Sequence, residues 1–283
     1  MDCQEKGPST TIVQETPPPP YSQCIDEEVV DVTEKVSFAQ STRPQTDSQP
    51  SSPVSITSFS QASPFPASWT LYFTLSISRT LTVGSHEVGP LFAVSRHPGW
   101  WTGKPDLVLH CGPHSAFRPF AAGIGGVGIG RHSVIVLPPL PGSGQDFSQE
   151  LLMRVDGENA AHVRFRFAIE VGTGSGEWRR EIFEWQHCHQ GVVGMFLDGA
   201  KSGWKLVHLP TPEDDIAEES QSNSRQEIVA VWAYAKVSMT KVLRFRYLGS
   251  GATGILGQRW NVMAAMTALR MYQRQQKNRN KDW

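Results

Sequence analysis

The sequence predicts a mainly β domain, a sandwich or a barrel, that buries one hydrophobic helix at its C-terminal end. Three observations carry this expectation. Residues 69–247 read as about ten short runs of β-branched and aromatic residues, punctuated by Gly and Pro. Two of those runs alternate strictly: Val163, Phe165, Phe167 and Ile169 against Arg164, Arg166, Ala168 and Glu170, then Leu243, Phe245 and Tyr247 against Arg244 and Arg246. Such alternation marks a strand buried on one face, because a pleated strand sends successive side chains to opposite sides. The last stretch, 257 to about 276, has no Gly or Pro after its start, and between Trp260 and Tyr272 only Asn261, Thr267 and Arg270 are polar.

Taken in order, residues 1–66 are rich in Pro, Ser, Thr and Gln and hold few large apolar side chains. They offer too little burial to offset backbone ordering, and a disordered arm is expected. The composition changes at Trp69, and residues 67–276 are expected to form the domain. Strands are expected at 69–77, 91–95, 106–111, 133–137, 163–170, 204–209, 227–235 and 242–247. The Pro/Gly stretch 138–148 reads as a loop, and the acidic, serine-rich stretch 211–226 as a mobile insertion. The three polar residues of the final helix do not share one narrow stripe, so the helix should be buried all round. Trp260, Val262, Met263, Met266, Leu269 and Met271 are its expected core. Gln273, near its exit, is expected to tolerate substitution. Residues 277–283 read as a basic tail.

Charge divides the chain. Residues 1–66 hold three basic residues (Lys6, Lys35, Arg43) against nine acidic ones, which leaves 23 basic and 18 acidic residues for the rest. The arm is acidic and the domain mildly basic, and a net charge of −1 gives no global nucleic-acid signal. Cys3, Cys24, Cys111 and Cys188 have no paired spacing that suggests a disulfide framework or a zinc site. The first residues lack a secretory signal pattern, and no run of ~20 apolar residues predicts a transmembrane segment. A cytoplasmic protein, peripheral at a membrane if attached to one, is the expectation.

The sharpest local motif lies in the arm. Pro18-Pro19-x-Tyr21 is the pattern that WW domains read, since a polyproline II segment docks in an aromatic groove at little entropic cost. A WW-domain protein, for example a ubiquitin ligase, is the implied partner. The competing reading is a proline-rich arm without a partner. Gly123-x-Gly-x-x-Gly128 spells a dinucleotide fingerprint, but a strand followed by Pro138 and Pro139 stands where a helix is required. Gly172 to Gly176 reads as a hairpin turn.

His110, Cys111 and His114, and His187, Cys188 and His189, form two clusters, but strand neighbours face opposite ways and no metal or other cofactor is expected. No Gly-x-Ser-x-Gly elbow is present, and Asp214, Asp215, Glu218 and Glu219 fall in the acidic insertion rather than on a rigid element. No catalytic residue is assigned. Arg164 and Arg166 share one strand face, as do Arg244 and Arg246; Arg179, Arg180, Arg270, Arg274, Lys277, Arg279 and Lys281 add further positive charge. Such groups attract anionic headgroups by ~1 kcal/mol each. They also serve simply as the polar face of half-buried strands.

An all-β domain that ends in one wholly hydrophobic helix is an unusual plan, and here the chain resembles the tubby C-terminal-like superfamily. That group includes the LURP-one-related proteins and, more distantly, the phospholipid scramblases; the likeness is nearest to fungal members without an assigned activity. It rests on LVLH (Leu107–His110), WRREIFEW (178–185), GWKL (203–206), EIVAVW (227–232) and LGQRWNVM (256–263), in that order, over roughly 68–276. The resemblance implies a closed antiparallel barrel of about twelve strands around the C-terminal helix. Tubby proteins bind phosphoinositides through basic residues outside the barrel, but no such motif can be carried over residue by residue. The expected function is therefore a non-enzymatic binding or scaffold module. Arg164, Arg166, Arg244 and Arg246 are its candidate contacts with anionic phospholipid, and the arm recruits a WW-domain partner. The alternative is a small-molecule or metal-dependent enzyme that uses the barrel rim.

Overall fold

The structure, a computed structural model, describes residues 64–73, 80–97, 104–125, 132–140, 143–155, 163–172, 178–189, 191–209, 226–235 and 238–279. Its strands are β1 (Ser68–Phe73), β2 (Thr80–Gly84), β3 (Phe92–Arg96), β4 (Leu107–His110), β5 (Pro119–Gly125) and β6 (Ser133–Leu137). They continue as β7 (Ser148–Val155), β8 (Arg164–Val171), β9 (Arg179–His189), β10 (Ser202–Leu209), β11 (Ile228–Tyr234) and β12 (Lys241–Tyr247). The helices are α1 (Val192–Phe196), α2 (Gly249–Thr253) and α3 (Gly257–Arg279). Each strand pairs antiparallel with its neighbour in sequence, and β1 closes the circle against β12, with Ser68 opposite Arg246 and Leu71 opposite Leu243. The result is a closed twelve-stranded antiparallel barrel, an architecture that leaves no sheet edge to template aggregation.

Alternation sets which side chains face inward. On β8, Phe165, Phe167, Ile169 and Val171 are buried, and the intervening Arg164, Arg166, Ala168 and Glu170 face out. The opposing inward residues of β9 are Trp185, Phe183 and Glu181. Trp69, Trp232 and Phe245 extend this lining around the seam, with the Trp69 and Phe245 rings stacked at 4.6 Å.

The barrel interior is filled by α3, 23 residues long and therefore about 34 Å at 1.5 Å per residue. Every residue from Arg259 to Tyr272 is buried, as is Gln273, so no helical face is left for solvent. Trp260, Met263, Met266 and Leu269 are each at most 1% exposed and pack with inward residues from strands on all sides. Two contacts from the wall reach α3 at its polar residues, one at a side chain and one at the main chain, while the Asn261 side-chain Oδ1 is buried without a hydrogen-bond partner among the described residues. Trp185 Nε1 donates to Thr267 Oγ1 (2.9 Å), and Tyr247 OH donates to the Asn261 carbonyl (2.8 Å). The turn into α3 runs through Gly257 at φ 85°, where a Cβ would stand 2.4 Å from the Gly172 carbonyl oxygen. Only glycine meets both conditions.

Several boundaries differ from those read in the sequence. β2, β5, β7 and β9 were not anticipated; β2 and β5 carry glycines and small residues, β7 mixes Glu150 and Arg154 into its inward face, and β9 opens on Arg179 and Arg180 and buries Glu181 and Glu184. Phe65 belongs to the core, packed on Trp69 and Phe92, although the arm was expected to run to residue 66. α3 continues to Arg279 rather than about 276. The expectation for Gln273 is also corrected. It is 4% exposed, accepts from Arg270 Nη1 and donates to the Asp106 carbonyl (2.8 Å), so it is an internal polar contact and not a free exit residue.

Candidate functional site

Because every pairing is antiparallel, successive connections alternate between the two ends of the barrel. The near end, where α3 begins, carries the connections after β4, β6 and β8. The far end, where α3 leaves, carries those after β3, β5 and β7. Among the described residues, the ionisable side chains differ between these ends.

At the near end charges are matched. Arg259, 7% exposed on the first turn of α3, donates through Nη2 to Glu150 Oε1 (2.6 Å) and through Nη1 to Ser148 Oγ and the Pro138 carbonyl (2.6 Å each). Its Nε lies 3.4 Å from Glu170 Oε2. Arg180 joins the same carboxylates, bonding Glu150 Oε2 at 2.7 Å and Glu170 on the adjacent strand. Burial alone would raise the Glu170 pKa, but its backbone hydrogen bond and Arg180 hold it below the usual carboxylate value. Glu181 is lowered in the same way, burial being outweighed by His208 and Arg179. Arg179 and Arg180, expected to add to a basic surface, are thus paired with Glu181, Glu150 and Glu170.

At the far end basic side chains gather around one carboxylate. Arg270, 4% exposed, donates through Nη2 to Asp106 Oδ2 (2.8 Å), and Lys277 Nζ reaches Asp106 Oδ1 (3.1 Å). Arg270 Nε and Arg274 Nη1 both donate to Ser133 Oγ, at 3.2 and 3.3 Å. Burial lowers the Arg270 pKa, with Asp106 acting against it. The Arg274 pKa is lowered by burial, then by Arg270 and by Arg154, which the alternation of β7 turns inward beside it. Burial raises the Tyr272 hydroxyl above its usual value, with Arg96 at the end of β3 acting against it. Space for this cluster comes from β5. A Cβ on Gly125 would stand 2.7 Å from Asp106 Oδ2 and 2.9 Å from Arg270 Nη2, and one on Gly123 would lie 3.4 Å from Arg270 Cδ. These glycines of the fingerprint-like text make room for a buried ion pair, while β5 runs straight into pairing with β6.

The barrel walls hold the four arginines singled out as lipid contacts, and each has a local partner. Arg166 bonds Glu184 Oε2 (2.7 Å), and Arg164 Nη1 lies 3.5 Å from Glu184 Oε1. Arg244 donates to Asp198 (2.7 Å), and the Arg246 guanidinium lies 5.7 Å from the Phe196 ring centroid. The last two flank α1, which covers Val231 and Ala233 from outside the barrel. Beside it runs a groove of about 740 Å³ lined by Tyr72, His86, Glu87, Asp198, Lys241 and Arg244 among others, with both signs of charge.

The histidine clusters separate. His187 and His189 stand edge to face, 4.7 Å apart at their centroids. His110 lies beneath the connection after β4, with Nδ1 2.8 Å from the Phe117 carbonyl and Nε2 2.9 Å from Ser95 Oγ. Among the described residues no group of three or more His, Cys, Asp or Glu side chains is placed to hold a metal ion, and no helix is long and apolar enough to cross a membrane. Pro18, Pro19 and Tyr21, the acidic residues of the 211–226 stretch, the Arg279 side chain and Lys281 lie outside the described residues.

No known protein family matches the chain, and neither a curated protein nor a solved structure matches it. The far-end cluster was only partly visible in the sequence. Arg270 and Arg274 stood out as basic, but Asp106, Ser133 and Arg154 are brought to them only by barrel closure. An arginine in an otherwise apolar helix was the one available signal, because a buried guanidinium requires an acidic partner.

Proposed function

We propose that the protein is a non-enzymatic binding module that attaches to anionic phospholipid through the far end of its barrel, while its N-terminal arm recruits a WW-domain protein. The observation that carries this reading is the sorting of charge between the two ends. Among the described residues, Arg270, Arg274 and Lys277 act on Asp106 with Arg154 and Arg96 at the same end, while Arg179, Arg180 and Arg259 sit among Glu150, Glu170 and Glu181. Near a charged bilayer each basic residue contributes ~1 kcal/mol, and the attraction decays over a Debye length of ~8 Å at physiological salt. Cations collected at one end therefore act together. Those spaced around the wall, such as Arg166 and Arg244, each beside a carboxylate, contribute less. α3 fills the barrel interior, so an enzyme of this architecture would have to seat its substrate at the rim. The meander of strands around a C-terminal helix also supports a tubby-like ancestry for the domain.

Co-sedimentation with vesicles tests the attachment. The protein should pellet with phosphatidylcholine vesicles containing phosphatidylserine and stay in solution with phosphatidylcholine alone. Binding should fall steeply between about 50 and 500 mM salt. Equal pelleting with neutral vesicles, or no response to salt, would remove the electrostatic basis of the proposal. For the arm, Tyr21→Ala should abolish capture by an immobilised WW domain while leaving the melting temperature unchanged. Undiminished capture of that variant would reduce the motif to incidental sequence.

A further inference from the structure

We infer that the far-end rim of the barrel carries a chelate for a divalent transition-metal ion, formed by the imidazoles of His187 and His189. These residues close β9, which runs towards the far end like the other odd-numbered strands. They stand two apart, so their side chains leave the strand on the same side. They continue the inward row of Phe183 and Trp185 to the barrel mouth, where both are exposed. Pairing with β8 ends at Gln186, and residues 187–189 pair with β10 alone. Cys188, between the two histidines, points the other way. Its thiol donates to the Gly203 carbonyl (3.7 Å) and packs beside α1.

The spacing of the rings carries the inference. Positions two apart on a strand are separated by about 6.8 Å along the backbone. The ring centroids lie 4.7 Å apart at an interplanar angle of 82°, so the imidazoles lean together. An imidazole nitrogen holds a first-row ion at about 2.0–2.1 Å, which puts the ion about 3.2 Å from the ring centre. Two rings on one ion then have centres about 4.5 Å apart at a right angle and about 5.2 Å apart at the tetrahedral angle. The observed separation falls between those limits. Trp204, opposite His187 on β10, stands edge to face against that ring at 5.2 Å and is itself packed on Phe165 and Trp232. A neighbour held in this way restricts the His187 ring and lowers the entropic cost of chelation. Among the described residues neither imidazole has a hydrogen bond or an ion pair to give up.

Two nitrogens leave the remaining coordination positions to water. This is therefore an exchangeable surface chelate, and it needs no third His, Cys, Asp or Glu ligand, none being placed for one among the described residues. Imidazole suits nickel(II) and zinc(II), whereas calcium and magnesium seek oxygen ligands.

The full chain, without an affinity tag, is titrated with nickel(II) and with zinc(II) by calorimetry at pH 7.5, where unperturbed imidazole is mostly neutral. One ion should bind per chain. His187→Gln and His189→Gln should each weaken binding about a hundredfold, because the second ligand on the same strand acts at a high effective concentration. His86→Gln, which removes another exposed histidine, and Cys188→Ser should leave the affinity unchanged. Excess calcium should not displace either ion. Melting curves identify any variant that has lost its fold, and the other histidine variant then decides. Absence of binding by the wild type overturns the chelate, as does equal binding by a folded His187→Gln or His189→Gln chain. Loss of binding in folded Cys188→Ser, or displacement by calcium, assigns the ion to other ligands and overturns it too.

Discussion

Met266→Asp should abolish the fold. Met266 is fully buried near the middle of α3, among side chains from the surrounding barrel. A carboxylate there has no partner, and its burial costs several kcal/mol even if it is relieved by taking up a proton. A domain of this kind holds ~5–15 kcal/mol in total. The expected product is insoluble or lacks a cooperative melting transition, and truncation after Gly254, which removes the helix, should have the same outcome. Ile255→Asp is the matching control. That side chain is 62% exposed just before α3, and its replacement should shift stability by no more than about 0.5 kcal/mol. Soluble Met266→Asp protein that melts at the wild-type temperature would refute the central helix.

Asp106→Ala should be the most damaging single change among the polar residues, at about 3–5 kcal/mol. The carboxylate holds Arg270 at 2.8 Å and Lys277 at 3.1 Å. Without it, Arg270 remains nearly inaccessible to water beside Arg274 and Arg154. The loss comes mainly from the stranded guanidinium, not from the missing bond. The double variant Asp106→Ala/Arg270→Met should therefore recover much of the stability, since an apolar side chain in the same space carries no charge to desolvate. Urea denaturation of the two variants decides the matter. If Asp106→Ala lies within about 1 kcal/mol of wild type, the guanidinium is solvated and the pair is not a buried one.

The contrast between α3 and β5 explains what could be read in the sequence. α3 was legible because its signal is local: apolar residues on every face of one helix admit only burial. β8 and β12 were legible for a similar reason, their period-two pattern being complete within eight and seven residues. β5 hid its identity. Its inward Gly123 and Gly125 are explained by Arg270, which lies far along the chain, so they read as loop or nucleotide-fingerprint glycines until the barrel is assembled. The four wall arginines were correctly placed on outward faces, but their carboxylate neighbours Glu184 and Asp198 come from other elements. Periodicity reports which way a side chain points, and it carries no information about what meets it there. For the same reason the near-end network of Arg259, Glu150, Glu170 and Arg180 left no trace in the sequence pattern.

The order of assembly has a consequence for biosynthesis. Neighbouring strands form hairpins of low sequence separation, which can pair as the chain emerges from the ribosome. The seam between Ser68 and Arg246 joins the first strand to the last, and α3 follows that strand. At ~5–20 residues per second, synthesis of the strands occupies roughly ten seconds or more during which the sheet has no helix to enclose. Its concave face, lined by Trp69, Phe167, Trp185 and Trp232, and its two open edges are then available to other nascent chains. The final helix completes the core: a ribosome that stops before residue 257 releases an apolar sheet with no interior partner, a species suited to capture by chaperones and proteases rather than to native accumulation.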